Sequence, residues 1–61
     1  MPEVTVELAQ GRTLEQKRAL VQGITRVIME TCNVPADAVV VTLHENPLTD
    51  KAKGGVLFAD R

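Results

Sequence analysis

The stretch TLEQKRALVQGITRVIMET, residues Thr13 to Thr31, decides the fold predicted for this chain. Its apolar residues recur with the spacing of one helix face, and they are Leu14, Leu20, Val21, Ile24, Val27 and Ile28. Its polar residues cluster on the other face, and they are Lys17, Arg18, Gln22, Arg26 and Glu30. The pattern therefore predicts an amphipathic helix with one buried face.

Both ends of this helix carry local signals. Thr13 and Gln16 have the spacing of a capping box, in which each side chain satisfies the backbone N–H of the other. At the far end, Asn33-Val34-Pro35 cannot continue a helix, because proline restricts the residue before it. The helix is expected to span about 13–31.

The segments on either side of the helix have strand patterns. PEVTVEL (Pro2–Leu8) alternates polar and apolar residues, which predicts a strand with one buried face. VVVTLHE (Val39–Glu45) begins with three valines, which is typical of a strand buried on both faces. A strand, a crossover helix and a second strand favour parallel pairing.

The last residues add a smaller element. NPLTDKAKGG (46–55) is expected to be a loop, and VLFA (Val56–Ala59) a short strand or hairpin arm. The predicted fold is thus α+β: one domain over 1–61, with two parallel strands, one helix and a C-terminal β arm. Because one sheet face and both sheet edges would be uncovered, we expect oligomerisation to complete the fold.

Composition narrows the class of protein further. A chain of 61 residues buries only about 60% of the surface that its unfolded form exposes. The lone Cys32 cannot form an intrachain disulfide, and one histidine and one cysteine give no metal-ligand spacing. We expect Cys32 to be a small buried residue, and association between subunits to supply the missing stability.

Charge and hydropathy disfavour several kinds of partner. The net charge of −1 and the single aromatic residue, Phe58, argue against nucleic acid as a partner. No apolar run approaches the roughly 18 residues of a membrane span, and no secretory signal pattern is seen. A cytoplasmic protein is the expectation.

Pro2 raises a chemical question. Within a chain, the proline nitrogen is an amide without a proton. If Met1 were removed, that nitrogen would become a secondary amine able to act as a base or a nucleophile. On the residues alone, the alternative is that Pro2 simply begins the first strand.

Five features together carry a resemblance, and they are Pro2, GRTLEQKRAL (Gly11–Leu20), Pro35, VVVTLHE and Gly54-Gly55. With them the chain resembles the 4-oxalocrotonate tautomerase family over nearly all of its length. The resemblance implies a β-α-β protomer, a hexamer built as a trimer of dimers, and no cofactor. It also implies that Pro2 is the general base of a tautomerase or isomerase that acts on a small unsaturated or keto carboxylic acid.

The same resemblance suggests how the substrate is held. It implies that Arg12 binds the substrate carboxylate, often from a neighbouring subunit, whereas the residue type alone favours a turn residue that is solvated or paired with a carboxylate. Two positions depart from the family pattern: Val40 stands where a second arginine is expected, and Lys51 where an aromatic residue is expected. Lys51 or Lys53 could supply the lost charge, which makes Lys51 a weak candidate for substrate binding.

Alternatives stay open at this point. Glu45, a weak candidate, could guide a water in a hydratase or dehalogenase-like enzyme that uses Pro2 as an acid. The chain could also be a non-catalytic homologue, or one subunit of a hetero-hexamer whose partner carries the missing arginine. His44 is expected to be structural, since no partner for it is visible in the sequence.

Overall fold

A computed structural model describes all residues, Met1–Arg61. Four strands and one long helix follow each other along the chain: β1 (Glu3–Ala9), α1 (Leu14–Cys32), β2 (Val40–Asn46), β3 (Ala52–Lys53) and β4 (Val56–Leu57). Short 3₁₀ turns connect or follow them at Ala36–Ala38, Leu48–Asp50 and Phe58–Asp60.

Strands β1 and β2 form a parallel pair, as predicted. The register places Val4 opposite Val41, Val6 opposite Leu43, and Ala9 opposite Asn46. Along β1, the even-numbered residues are half-buried and face α1, whereas Glu3, Thr5 and Glu7 are exposed. The alternation in the sequence thus correctly predicted which face of β1 carries the apolar side chains.

The ends of α1 follow the predicted local signals. The Thr13 hydroxyl accepts from the Gln16 N–H at 3.1 Å, and the Gln16 side chain accepts from the Thr13 N–H at 2.9 Å. At the other end, Asn33 adopts a left-handed conformation with φ of 56°, two residues before Pro35. The helix therefore begins at Leu14, directly after its cap, and ends at Cys32.

The C-terminal segment differs from the prediction. Part of the expected loop forms β3, which pairs antiparallel with β4, so that Lys53 lies opposite Val56. Gly54 and Gly55 make the turn with φ values of 62° and 81°, a conformation that glycine adopts without steric cost. Residues after Leu57 turn into a 3₁₀ segment instead of extending the strand to Ala59. We call residues 47–61 the C-terminal arm.

The protomer is thin and open. No residue is buried in it, and its radius of gyration is 14.4 Å. A compact domain of this length would have a radius of about 10.5 Å. Its principal extents of 42 × 23 × 13 Å describe a plate one helix and one sheet thick.

Two burial predictions are wrong for this protomer. Val40 is 38% exposed instead of buried on both faces, because only one face of the sheet is covered by α1. Cys32 is also exposed, since it lies in the last turn of the helix.

An open apolar groove of about 450 Å³ runs between β1 and α1. Its lining is formed by Val4, Ala19, Leu20, Gly23, Ile24, Val27 and Ile28. Gly23 makes no close approach within the protomer, because a Cβ built on it would meet nothing within 4 Å. The groove exposes apolar surface that a stable protein normally covers. No helix of the chain is both long enough and apolar enough to cross a membrane.

Candidate active site

Pro2 lies at the amino end of the sheet, immediately before β1. Its carbonyl oxygen accepts a hydrogen bond from the Val40 N–H at 3.0 Å, which ties it to the start of β2. Pro2 is half-buried, whereas Met1 is 84% exposed. Val40 is the register partner of Glu3, at the start of β2. The first proline is therefore fixed in space at the amino end of the sheet.

Arg12 lies at the opposite, carboxyl end of the sheet. It follows β1 in the turn that leads to the helix cap, it is exposed, and it makes no ion pair with a carboxylate of the protomer. A strand rises about 3.3 Å per residue, so the segment from Pro2 to Gln10 spans about 25 Å. The structure therefore does not bring Pro2 and Arg12 together within one protomer.

The Glu45 carboxylate forms an ion pair with Lys17, a residue that the sequence predicted on the solvent face of α1. The Lys17 ammonium lies 3.1 Å from the Glu45 carboxylate, and the two side chains are 28% and 34% exposed. Lys17 was expected on the solvent face of α1, but it reaches over the carboxyl end of β2. The spacing in the sequence could have indicated this position. Lys17 precedes Leu20 by three residues and Ile24 by seven, which places it on the same helix face as these apolar residues.

Glu7, His44 and Asn46 form a second polar cluster at the carboxyl end, on the sheet face away from α1. His44 Nδ1 lies 2.8 Å from Glu7 Oε2, and Asn46 Nδ2 donates to Glu7 Oε1 at 3.0 Å. The hydrogen bond from Asn46, followed by that from His44, lowers the pKa of the Glu7 carboxyl below its ordinary value of 4.5.

The partner of His44 was missed from the sequence. The strand register places Glu7 and His44 directly opposite each other, so the contact follows from how the strands pair. Neither strand alone indicates which residue of the other will face it.

Lys51 lies in the C-terminal arm, against Phe58. Its ammonium is 5.9 Å from the centroid of the Phe58 ring, and its carbonyl oxygen accepts from the Phe58 N–H at 2.8 Å. Its positive charge also contributes to the lowered pKa of Glu7, which places Lys51 near the carboxyl end of the sheet. Three of the four candidate residues, Arg12, Glu45 and Lys51, thus gather at one end, and Pro2 lies at the other.

Comparison with known proteins identifies the family. The sequence model described as "Tautomerase enzyme" matches residues 2–61, so the match begins at Pro2 and covers almost the whole chain. The chain belongs to the tautomerase family. A probable tautomerase of Bradyrhizobium diazoefficiens is 48% identical to this tautomerase over 61 residues, covering 100% of this chain and 91% of the relative.

Solved structures agree with the fold. A 4-oxalocrotonate tautomerase homologue is 38% identical, has a TM-score of 0.95, and covers 100% of this chain and 97% of its own. A heterohexameric 4-oxalocrotonate tautomerase from Chloroflexus aurantiacus is 27% identical, with a TM-score of 0.91 and coverage of 98% and 97%. The predicted β-α-β tautomerase fold is confirmed, and the chain is an isomerase-class enzyme similar to 4-oxalocrotonate tautomerase.

Proposed function

We propose that this tautomerase isomerises a small unsaturated or keto carboxylic acid without a cofactor, using Pro2 as its general base after removal of Met1. The observation that carries the proposal is the fixed, half-buried position of Pro2 at the head of the sheet. The family match that starts at this residue supports it.

The proposed chemistry is a proton transfer between two carbons. The neutral amine of Pro2 takes a proton from the carbon next to the carbonyl or at the end of its conjugated system, which leaves an enolate. The protonated amine then returns the proton to another carbon of the same system, so that the product is an isomer. A general base has to be uncharged at the working pH, and the half-buried position of Pro2 disfavours its charged form.

Arg12 is the proposed anchor for the substrate carboxylate. Its planar guanidinium can hold a carboxylate through two parallel hydrogen bonds. Since Pro2 and Arg12 lie at opposite ends of one protomer, the anchor for a given proline has to come from another subunit. The open edge of β1 suits this arrangement, because an antiparallel second copy along that edge would bring its Pro2 towards Arg12.

Assembly with copies of the same chain therefore belongs to the proposed function. The 13 Å thickness of the plate, its lack of buried residues and its apolar groove all support a partner. We propose a homo-hexamer, with the hetero-hexamer as the alternative, because a similar solved tautomerase is a heterohexamer. The hydratase alternative has less support, since the Glu45 carboxylate is already engaged by Lys17.

The test combines mass and activity. The intact mass of the purified protein is expected to lack Met1, and the protein is expected to convert a β,γ-unsaturated 2-keto acid to its conjugated α,β-unsaturated isomer in an ultraviolet assay. Pro2→Ala should lower kcat/KM by about 10²-fold or more, the contribution typical of a general base. Pro35→Ala, a matched proline substitution outside the proposed site, should stay within about twofold. Full activity of Pro2→Ala, or of protein that retains Met1, would overturn the proposal.

A further inference from the structure

The turn that carries Arg12 is short, and the chain is anchored on both sides of it. Before the turn, the Gln10 N–H donates to the Asn46 carbonyl oxygen at 2.8 Å, which ties the end of β1 to the end of β2. After the turn, Thr13 caps α1. Only Gly11 and Arg12 lie between these two points. The position of Arg12 therefore depends on where the first turn of α1 lies relative to the end of β2.

One ion pair joins this first turn of α1 to the end of β2. The Lys17 ammonium lies 3.1 Å from the Glu45 carboxylate, and the two side chains are only 28% and 34% exposed. The Lys17 N–H donates to the Thr13 carbonyl oxygen at 3.1 Å, so Lys17 belongs to the helical turn that starts at the cap. Within 11–19, every residue except Lys17 is exposed. The ion pair, and not apolar packing, therefore holds this turn against the sheet.

The adjacent residue offers a comparison within the same turn. Arg18 pairs with Glu15, three residues earlier in α1, and both of these side chains are more than half exposed. This second pair joins two residues of the helix and none of a strand. Lys17 and Arg18 are thus neighbouring paired cations, but only the pair of Lys17 fixes α1 relative to β2.

We infer that Lys17 and Glu45 are positioning residues, whose ion pair holds the turn where the Arg12 guanidinium can bind the substrate carboxylate. The inference rests on the proposed function, in which Arg12 is the anchor. A guanidinium that forms two parallel hydrogen bonds has to be correctly oriented, so a displaced turn weakens the contact. Lys17 and Glu45 neutralise each other and act on the substrate only through Arg12.

Steady-state kinetics with the β,γ-unsaturated 2-keto acid test this, together with NMR titration of butyrate, a saturated monocarboxylate. Lys17→Met and Glu45→Gln should each raise KM and weaken butyrate binding about three- to tenfold, and leave kcat within about twofold. Lys17→Arg keeps the pair and should leave KM within about twofold. Arg18→Met, the matched control, should change neither KM nor butyrate binding. Light scattering should show the same mass for all of these proteins.

Glu45→Gln separates positioning from direct binding by Lys17. This variant frees the Lys17 ammonium, so a lysine that contacted the carboxylate itself would bind butyrate more tightly. The Arg12→Ala background separates positioning of Arg12 from a general structural effect. In that background, Lys17→Met should weaken butyrate binding by less than about twofold, because the group that it positions is absent. If Lys17→Met does not fold, Glu45→Gln with and without Arg12→Ala decides the question.

An unchanged KM in Glu45→Gln, tighter butyrate binding by Glu45→Gln, or an equal effect of either substitution with and without Arg12 would overturn the inference. Failure of the proposed anchor gives a different result. If Arg12→Ala binds butyrate as tightly as the wild type, Arg12 is not the anchor, and the inference fails with it. If Arg12→Ala weakens binding but Lys17→Met and Glu45→Gln do not, the anchor stands and only the inference fails.

Discussion

The two ends of the parallel sheet differ in chemistry. The amino end holds Pro2, the start of β2 and the part of the apolar groove that Val4 and Val27 line. The carboxyl end holds the Lys17–Glu45 ion pair, the Glu7–His44–Asn46 cluster, and the unpaired Arg12. Under the proposed function, the amino end holds the uncharged amine of Pro2, and the carboxyl end binds the substrate anion through Arg12.

Under the proposed function, one protomer contains two halves of a site instead of a whole one. A neutral base benefits from apolar neighbours, whereas a carboxylate needs cations and hydrogen-bond donors. The segment from Pro2 to Gln10 spans about 25 Å, because a strand rises about 3.3 Å per residue. The apolar and the charged surroundings therefore stay apart within the protomer. The proposed assembly would then join them only at subunit boundaries.

The largest expected effect comes from substituting Pro2 in one chain and Arg12 in another. Pro2→Ala should lose about 10²-fold or more in kcat/KM, and Arg12→Ala about 10- to 100-fold, mostly through KM. Hybrids of the two variants should recover activity in about a quarter of their sites, because each site draws its proline and its arginine from different chains at random.

The measurement uses co-expressed, differently tagged chains purified through both tags. Each variant alone, taken through the same purification, is the control. If the hybrids are no more active than the single variants, each site takes Pro2 and Arg12 from the same chain. That result would contradict the proposal that the two ends of the sheet supply different sites.

The next effect concerns the apolar end. Val27 lines the open groove and is 56% exposed in the protomer. If a second copy covers the groove, Val27→Asp would bury an unpaired charge, which costs several kcal/mol and should dissociate the assembly. Light scattering after size-exclusion chromatography should report the smaller mass, together with loss of activity.

Gln22→Asp adds the same charge to α1 outside that groove and should leave the mass unchanged. An unchanged mass for Val27→Asp as well would show that the groove is not part of the interface.

A smaller effect is expected at the charged end, from the Lys17–Glu45 pair. The pair is partly buried, and its charged groups are 3.1 Å apart. The coupling between the two side chains should therefore contribute about 1 kcal/mol to the free energy of unfolding. A double-mutant cycle of Lys17→Met and Glu45→Gln, followed by urea unfolding, measures this value. The exposed Arg18–Glu15 pair provides the matched cycle, with an expected coupling of about 0.3–0.5 kcal/mol.

The smallest effect is the pH dependence contributed by Glu7. Its pKa in the folded protein is lowered, so its stabilising contribution is fully present above the unfolded value and is lost as pH falls below about 4.5. The melting temperature of the wild type, measured by thermal unfolding, should therefore fall as the pH is lowered through this range. The melting temperature of Glu7→Gln should fall less. Asn46→Leu should behave like Glu7→Gln, because the hydrogen bond from Asn46 makes the largest contribution to the lowered pKa of Glu7.

Local signals in the sequence predicted much of the fold. The capping box set the start of α1 within one residue, and Pro35 set its end, because both act over a few residues. The hairpin of β3 and β4 was missed, since strands of two residues are too short to show a period. The burial of Val40 was overestimated for a related reason: a run of valines does not show which sheet face another element covers.

The candidate site was harder to predict. Pro2, Arg12, Glu45 and Lys51 were named from the sequence and its resemblance, and their roles stay proposals. The contacts of His44 with Glu7 and of Lys17 with Glu45 join residues 37 and 28 positions apart, through strand register and helix placement. Such contacts depend on how elements pack, which no local pattern records.

The sequence by itself determined the elements of this tautomerase and their order, because capping, alternation and proline restrictions are properties of neighbouring residues. The tertiary structure alone decided that the acids at the carboxyl end of the sheet are already engaged, Glu45 by Lys17 and Glu7 by His44 and Asn46. The physical reason is that strand register and the placement of α1 bring together residues that are far apart in the sequence.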